Sequence, residues 1–245
     1  MALVLDFDGT LAPFVPKHDK AILPKPLAKL LRSLNAVAKC HIMILSGRQL
    51  ADVRSRAKIP SIFYGGNHGL EMEGPGFSFI HPKAHILKTQ IPALVDIAQK
   101  AFTGLPGVSV ENKNLSLTVH FRRLLPQHRN EFKARLEKLK SKLKNRSYYW
   151  RAGDSIWELL PRVQWNKGRA ALLFLEHLRN PFVIGVGDDV TDEDLFKAIK
   201  KRGISLRTVV GGPSQADYCI EQKDMDRFLN AVCDLLTTTP GGKYG

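Results

Sequence analysis

The chain has 245 residues, 37 of them Lys or Arg against 23 Asp or Glu, for a formal net charge of +14, and 44% are hydrophobic. That composition is too apolar for intrinsic disorder and suits one or two globular domains, while no apolar run approaches the ~20 residues of a membrane-spanning helix. Three scattered cysteines (Cys40, Cys219, Cys233) exclude a disulfide scaffold and point to a reducing, cytoplasmic setting, and the charge leaves two readings open, a polyanionic partner or a well-solvated surface.

Residues 2–5 read as a buried strand that closes in Asp6 and Asp8 and turns at Gly9. A helix over 27–37, a strand over 40–45 ending in Ser46, Gly47 and Arg48, a helix over 49–57 and a strand over 61–64 ending in Gly65 and Gly66 follow. Strands alternating with helices, each closed by a polar or Gly-rich tip, predict an open parallel α/β sheet. Gly74, Pro75 and Gly76 then mark a hairpin turn, and His81 and Pro82 begin a long helix running to about residue 102.

Strands are expected over 108–112 and 115–123, a very basic helix over 129–144, and strands over 148–151 and 155–160 separated by Gly153. Leu115, Leu117, Val119 and Phe121 alternate with Ser116, Thr118, His120 and Arg122, the period of a sheet with one buried face. This αββαββ order differs from the βαβα on either side and reads as an α+β module, 84–160, inserted between core segments 1–83 and 161–245. After Pro161 the alternation resumes: helices over 167–178, 192–201 and 224–236, with strands over 182–186, 204–210 and 217–221. The tail, 240–245, is expected to fray.

Four polar clusters sit at strand ends, where open α/β sheets bind ligands. At strand spacing Asp6 and Asp8 point to the same side, with Phe7 toward the core, and such neighbours repel unless a cation or shared proton relieves them. Mg²⁺, a hard ion taking oxygen ligands, suits them. Asp188 follows the strand over 182–186 and is placed to reach the same ion. Thr191 with Asp194 fits a capping box, which assigns Glu193 and Asp194 to the helix start; Asp189 and Asp192 fall between the two readings. Ser46, Gly47 and Arg48 offer a hydroxyl and backbone N–H groups to phosphate oxygens, or else a helix N-cap. Lys167 begins a helix against the macrodipole, either facing solvent or balancing a nucleophile and a phosphate.

Together these parts describe phosphoryl transfer. Asp6 attacks phosphorus, Asp8 protonates the leaving alcohol and then activates water, and Mg²⁺, Ser46 and Lys167 neutralise the equatorial oxygens.

The four motifs, Asp6 with Asp8, Ser46, Lys167 and Asp188, resemble those of the haloacid dehalogenase superfamily of phosphohydrolases. That resemblance implies a Rossmann-like parallel core with an inserted α+β cap of the larger, C2 type, and places Mg²⁺ on the Asp6 carboxylate, the Asp8 backbone carbonyl and Asp188. Within the superfamily, Leu45-Ser-Gly-Arg48, Gly66-Asn-His-Gly-Leu-Glu71, Glu111-Asn-Lys113, Val119-His-Phe-Arg122, Trp165-Asn-Lys-Gly-Arg-Ala170 and the block from Gly187 to Phe196 resemble the trehalose-6-phosphate phosphatases. The family would use Glu111 and Lys113 to hold sugar hydroxyls, with Asn67, His68, His120, Arg122 and Glu158 as further substrate contacts. Other readings stand beside these: an i,i+2 ion pair for Glu111 and Lys113, turn residues for Asn67 and His68, exposed strand residues for His120 and Arg122.

The resemblance implies Mg²⁺-dependent hydrolysis of trehalose 6-phosphate; one departure from the family is that nothing precedes the first strand, so a phosphatase unit without a fused synthase domain is expected, and a monomer. The alternatives are another sugar-phosphate phosphatase with the same cap type, acting on sucrose phosphate, mannosyl-3-phosphoglycerate or a hexose phosphate, and a basic nucleic-acid-binding or regulatory protein on this scaffold. Against nucleic acid, the basic helix has a single aromatic residue, Phe132, for stacking. Segment 84–160 holds 14 basic and 6 acidic residues, so most of the excess charge lies in the expected cap, on a helix that reads as solvent-facing. Its field would draw in a small sugar phosphate.

Overall fold

The computed structural model describes residues 1–13, 15, 20–144, 146–209 and 211–238; the tail 240–245 lies outside them, as does Val210 at the end of an expected strand. In chain order the first elements are β1 (Ala2–Leu5), α1 (Lys25–Ala36), β2 (His41–Leu45), α2 (Leu50–Ala57), β3 (Phe63–Gly66), β4 (Glu71–Gly74) and β5 (Phe77–Ile80). Then come α3 (Pro82–Leu87), α4 (Ile91–Ala101), β6 (Ser109–Asn112), β7 (Leu117–His120), α5 (Arg129–Lys142), β8 (Tyr148–Gly153) and β9 (Ile156–Pro161). The last are α6 (Lys167–His177), β10 (Val183–Gly187), α7 (Glu193–Ile199), β11 (Gly203–Arg207), β12 (Tyr218–Cys219) and α8 (Met225–Thr238). Two compact units result: Met1–Phe79 with Trp165–Gly245, and Ile80–Gln164.

In the first unit an eight-stranded sheet runs β12-β11-β10-β1-β2-β3-β4-β5, parallel from β12 to β3. Four-residue β1 alternates its burial: Leu3 and Leu5 join a core with Leu31 of α1 and Leu229 of α8, while Ala2 and Val4 join one with Phe174 of α6 and Phe196 of α7. Covered on both faces, a parallel strand has to be apolar throughout, as Ala-Leu-Val-Leu is. From β1 the chain goes to β2 on one side, whereas β10 lies on the other. The carboxyl ends of β1 and β10 therefore meet where the winding reverses, the switch point at which such sheets bind ligands.

The second unit is a four-stranded antiparallel sheet, β6-β7-β9-β8. Leu117, Val119 and Leu159 pack on Ile91, Val95, Phe132, Leu136 and Leu139 of α4 and α5. Lys133, Lys138 and Lys142 of α5 are exposed. The unit has the expected αββαββ order, with one correction: the helix expected from 81 to 102 is broken by a 3₁₀ turn at Lys88–Gln90. Pro92 lacks an N–H and its ring collides with the carbonyl four residues back, so α4 restarts with Pro92 in its first turn. Gly153 ends β8 rather than forming the turn, which falls on Asp154 and Ser155.

Candidate active site

Asp6 stands directly after β1, 5% exposed, its backbone N–H donating to Val186 of β10. Asp188 follows β10, and Lys167 opens α6, where Asn166 is the N-cap and accepts from the Arg169 N–H at 2.9 Å. Lys167 is 2% exposed; its Nζ donates to Asp6 Oδ1 at 2.6 Å and to Asp192 Oδ1 at 2.8 Å. This excludes the solvent-facing reading. The ammonium sits against the dipole of its own helix because two carboxylates hold it.

Asp192 is the residue the sequence reading left undecided. It is fully buried, and its Oδ2 accepts from the backbone N–H groups of Asp188 and Asp189 at 3.2 and 3.1 Å. The capping box is Asp189 with Asp192, two residues before the expected Thr191 and Asp194. Glu193 and Asp194 do stand in the first turn of α7, as expected, but the Glu193 carboxylate accepts from Ser214 Oγ and the Gln215 N–H rather than capping. Gly187 makes the close approach possible, since a Cβ there would stand 2.3 Å from Asp192 Cγ.

Carboxylate oxygens of Asp6, Asp188 and Asp192 lie within 4.8 Å of one another, all three buried, around one ammonium. Burial first, and the neighbouring carboxylates second, push Asp188 up to about 7, against the pull of Lys167. Burial likewise raises the Asp6 carboxyl well above its ordinary value although Lys167 opposes it. On Lys167, Asp192 and Asp6 outweigh the larger single effect of burial and raise its affinity for its proton. Asp188 Oδ1 is buried with no hydrogen-bond partner among the described residues. An all-oxygen donor set with an excess of buried negative charge and an unpartnered oxygen fits a hard divalent cation such as Mg²⁺.

Asp8 does not join this cluster. The strand ends at Leu5 and the backbone turns, so strand alternation does not extend to Asp8. The two carboxylates are relieved separately: Asp6 by Lys167, Asp8 by Arg48, whose Nε and Nη2 donate to the two Asp8 oxygens at 2.6 Å each. Arg48 is 7% exposed, and its Nη1 donates to Asp52 at 2.9 Å. Its guanidinium is thus paired with two carboxylates, Asp8 and Asp52. Ser46, also buried, accepts the Arg48 N–H on Oγ at 3.1 Å, while its own N–H donates to Gly65. The Ser46 and Arg48 backbone donors expected to face a phosphate are therefore engaged within the protein.

Asn67 and His68 both adopt left-handed backbone, with φ of 49° and 58°, a costly conformation away from glycine. The turn is braced by its hydrogen bonds: the Asn67 N–H donates to Arg48, the His68 N–H to Ser46, and Asn67 Nδ2 to Glu71 Oε1, which also accepts the Leu50 N–H. The His68 imidazole lies where a Cβ on Gly47 would be, 2.5 Å away. These residues are turn residues, as one reading had it, and they also line the tip of β2.

In the second unit, the remaining candidates other than Arg122 share the sheet face opposite the helices. The register aligns Glu111 with Thr118, Thr118 with Glu158, and Glu158 with Arg151, one row across four strands. Lys113 Nζ donates to Glu158 Oε1 at 3.0 Å and Arg151 Nη2 to Oε2 at 2.5 Å, while His120 pairs with Glu111 at 2.7 Å. Glu111 and Lys113 each bond across strands, Glu111 to His120 and Lys113 to Glu158. Arg122 stands apart, paired with Asp154 at the β8–β9 turn. Arg151, absent from the sequence-based candidates, belongs to the row; its strand position opposite Glu158 was the signal.

Residues 4–223 match the sequence family described as trehalose-phosphatase. The trehalose-phosphate phosphatase of Mycobacterium tuberculosis (strain ATCC 25618 / H37Rv) is 35% identical over 213 residues, covering 84% of this chain and 53% of that protein. A probable trehalose-phosphate phosphatase J of Arabidopsis thaliana is 33% identical over 248 residues, covering 94% and 65% respectively. The chain thus spans between about half and two thirds of these relatives' length. A solved trehalose-6-phosphate phosphatase related protein has the same fold, with a TM-score of 0.84 over 98% of this chain and 100% of that one at 21% identity. No helix among the described residues is long and apolar enough to cross a membrane.

Proposed function

The chain belongs to the trehalose-phosphatase family, and we propose on that premise that it hydrolyses trehalose 6-phosphate to trehalose and inorganic phosphate. The observation that carries the reading is the cluster of Asp6, Asp188 and Asp192 around Lys167 at the switch point of the sheet. One ammonium among three carboxylates is a site short of positive charge. Mg²⁺ would be held by Asp6, the Asp8 backbone carbonyl and Asp188, with Asp192 beside them, and would supply that charge to the phosphate oxygens.

The residues then divide the chemistry. An Asp6 oxygen attacks phosphorus as the bond to the sugar oxygen breaks, and Asp8 gives that oxygen its proton. Water next attacks the aspartyl phosphate, its proton passes to Asp8, and Asp6 is released with inorganic phosphate. Lys167 holds Asp6 in place for attack and balances charge on the transferring group, where most of the catalysis in such reactions lies. The Ser46 hydroxyl donates to a phosphate oxygen. We assign the Ile80–Gln164 unit the role of the cap that selects the sugar and excludes water. The support is its polar sheet face, with Glu111, Lys113, His120 and Glu158 arranged to give and accept hydrogen bonds to hydroxyl groups. The free Cys40, Cys219 and Cys233 suit a reducing cytoplasm.

Phosphate release from trehalose 6-phosphate, measured beside sucrose 6-phosphate, mannosyl-3-phosphoglycerate and glucose 6-phosphate in Mg²⁺, tests this. The expected result is a clear preference in kcat/KM for trehalose 6-phosphate. A preference for another sugar phosphate overturns the substrate, and no hydrolysis of any overturns the activity.

A further inference from the structure

Arg48 lies two residues before α2, forty positions from Asp8 in sequence, yet the two make a side-on ion pair: two donors, two acceptors, 2.6 Å each. The guanidinium is itself fixed. Asp52, one turn along, accepts its third donor at 2.9 Å. Asp52 in turn takes Arg56 Nε on both oxygens at 2.8 Å, and Arg56 Nη1 donates to the Ala21 carbonyl at 3.0 Å. Burial works against ionising Asp52, but the hydrogen bonds from Arg56 and Arg48 outweigh it and hold its carboxyl below the ordinary value. The face of Phe7 lies 5.7 Å from the Arg48 guanidinium carbon. Such a planar fork fixes both the position and the plane of a carboxylate; a lysine in its place would fix neither.

We propose that Arg48 is the positioning residue for Asp8, holding its carboxylate in one orientation through the chain Asp8–Arg48–Asp52–Arg56, and that it is not a ligand of the substrate phosphate. The inference rests on the reading of Asp8 as acid and base. One of the Asp8 oxygens has to be given up to the leaving oxygen or to water, and the other stays on the guanidinium as the pivot. The Asp8 side chain is 36% exposed against 8% for Arg48, so the acid reaches solvent while its anchor does not.

The test uses the full chain with trehalose 6-phosphate and with p-nitrophenyl phosphate. Arg48→Ala is expected to lower kcat on the sugar phosphate about 100-fold, the range of a displaced general acid and base, with KM held within about threefold. Arg48→Lys should fall nearly as far, and added guanidinium should restore part of the activity to Arg48→Ala. With p-nitrophenyl phosphate the leaving nitrophenolate needs no proton, but water attack still needs Asp8. Arg48→Ala should therefore release about one nitrophenolate per site in a burst, then turn over slowly. Asp52→Asn, which leaves the fork intact but loosens it, should lower kcat about tenfold without moving KM. It also serves if Arg48→Ala does not fold, because Arg48→Lys and Asp52→Asn both keep a cation at the site. Arg48 variants with kcat within about threefold of wild type, or a loss confined to KM, overturn the proposal. Absence of turnover by the wild-type chain on both substrates would instead overturn the phosphatase reading.

Discussion

Around Lys167, three buried carboxylates share one ammonium; around Glu158, one buried carboxylate is shared by an ammonium and a guanidinium. The two groups are built from the same residue types and both are shielded from water, yet their electrostatics are opposite. At the tips of β1 and β10 negative charge is in excess, so Asp6 and Asp188 hold protons far more readily than free carboxylates do, with burial as the leading cause. On the sheet of the second unit Glu158 is paired with both Lys113 and Arg151, and Glu111 is hydrogen-bonded to His120. A site left short of positive charge calls for a cation and a phosphate; a balanced one keeps its shape and offers hydrogen bonds. On the proposed function, the comparison separates a place for chemistry from a place for recognition.

The harshest way to break it is Asp6→Asn. An amide cannot act as the nucleophile, so phosphate release should fall on the order of 10⁴-fold or more, and activity within tenfold of wild type would reject Asp6 as the attacking group. Next is Lys167→Met, which strands three carboxylates without their ammonium. It should abolish turnover and lower unfolding free energy by about 3–5 kcal/mol in denaturant titration, an effect that added Mg²⁺ reduces. A change below about 1 kcal/mol would show that the ammonium is not the counterion the geometry makes it.

The balanced site should respond differently. Glu158→Gln leaves Lys113 and Arg151 facing an amide and should cut kcat/KM for trehalose 6-phosphate about 10- to 100-fold, at least about tenfold more than for p-nitrophenyl phosphate. Equal losses on both substrates would erase the distinction between the two regions. The mildest effect concerns pH. Asp188 is raised from 3.8 to about 7, so the folded chain keeps a proton that the unfolded chain has lost; the associated stability is full below the unfolded value and lost as pH rises through about 7. Mg²⁺ binds the deprotonated carboxylates, so its effect on Tm should be several degrees larger at about pH 8 than at about pH 5. A shift equal at both would contradict the raised carboxyls.

Much of this was readable before any coordinates. Short apolar runs that stop at Asp6, Ser46 and Asp188 give away buried parallel strands and their functional tips, because only a strand covered on both faces is apolar throughout. What escaped depended on distant partners. Asp192, like Asp189, falls between a helix start and the metal in sequence, although an Asp at the third position of a box opened by Asp189 points back toward the strand tip that Gly187 leaves open. Around Arg48 the sequence offers backbone N–H groups to a phosphate, and nothing local announces that its fork closes on Asp8. Pro92 carries the signal for the break in the long helix, but apolar residues continue on either side of it.

The central claim is that Asp6 carries the phosphoryl group, and trapping it there is the most direct test. Asp8→Asn, which keeps the nucleophile but lacks the base for water attack, is mixed with radiolabelled p-nitrophenyl phosphate in Mg²⁺ and quenched in acid. The account predicts about one label per chain, discharged by hydroxylamine and located on the peptide containing Asp6. Nitrophenolate released with no label on the protein, or a label on any other residue, would contradict it.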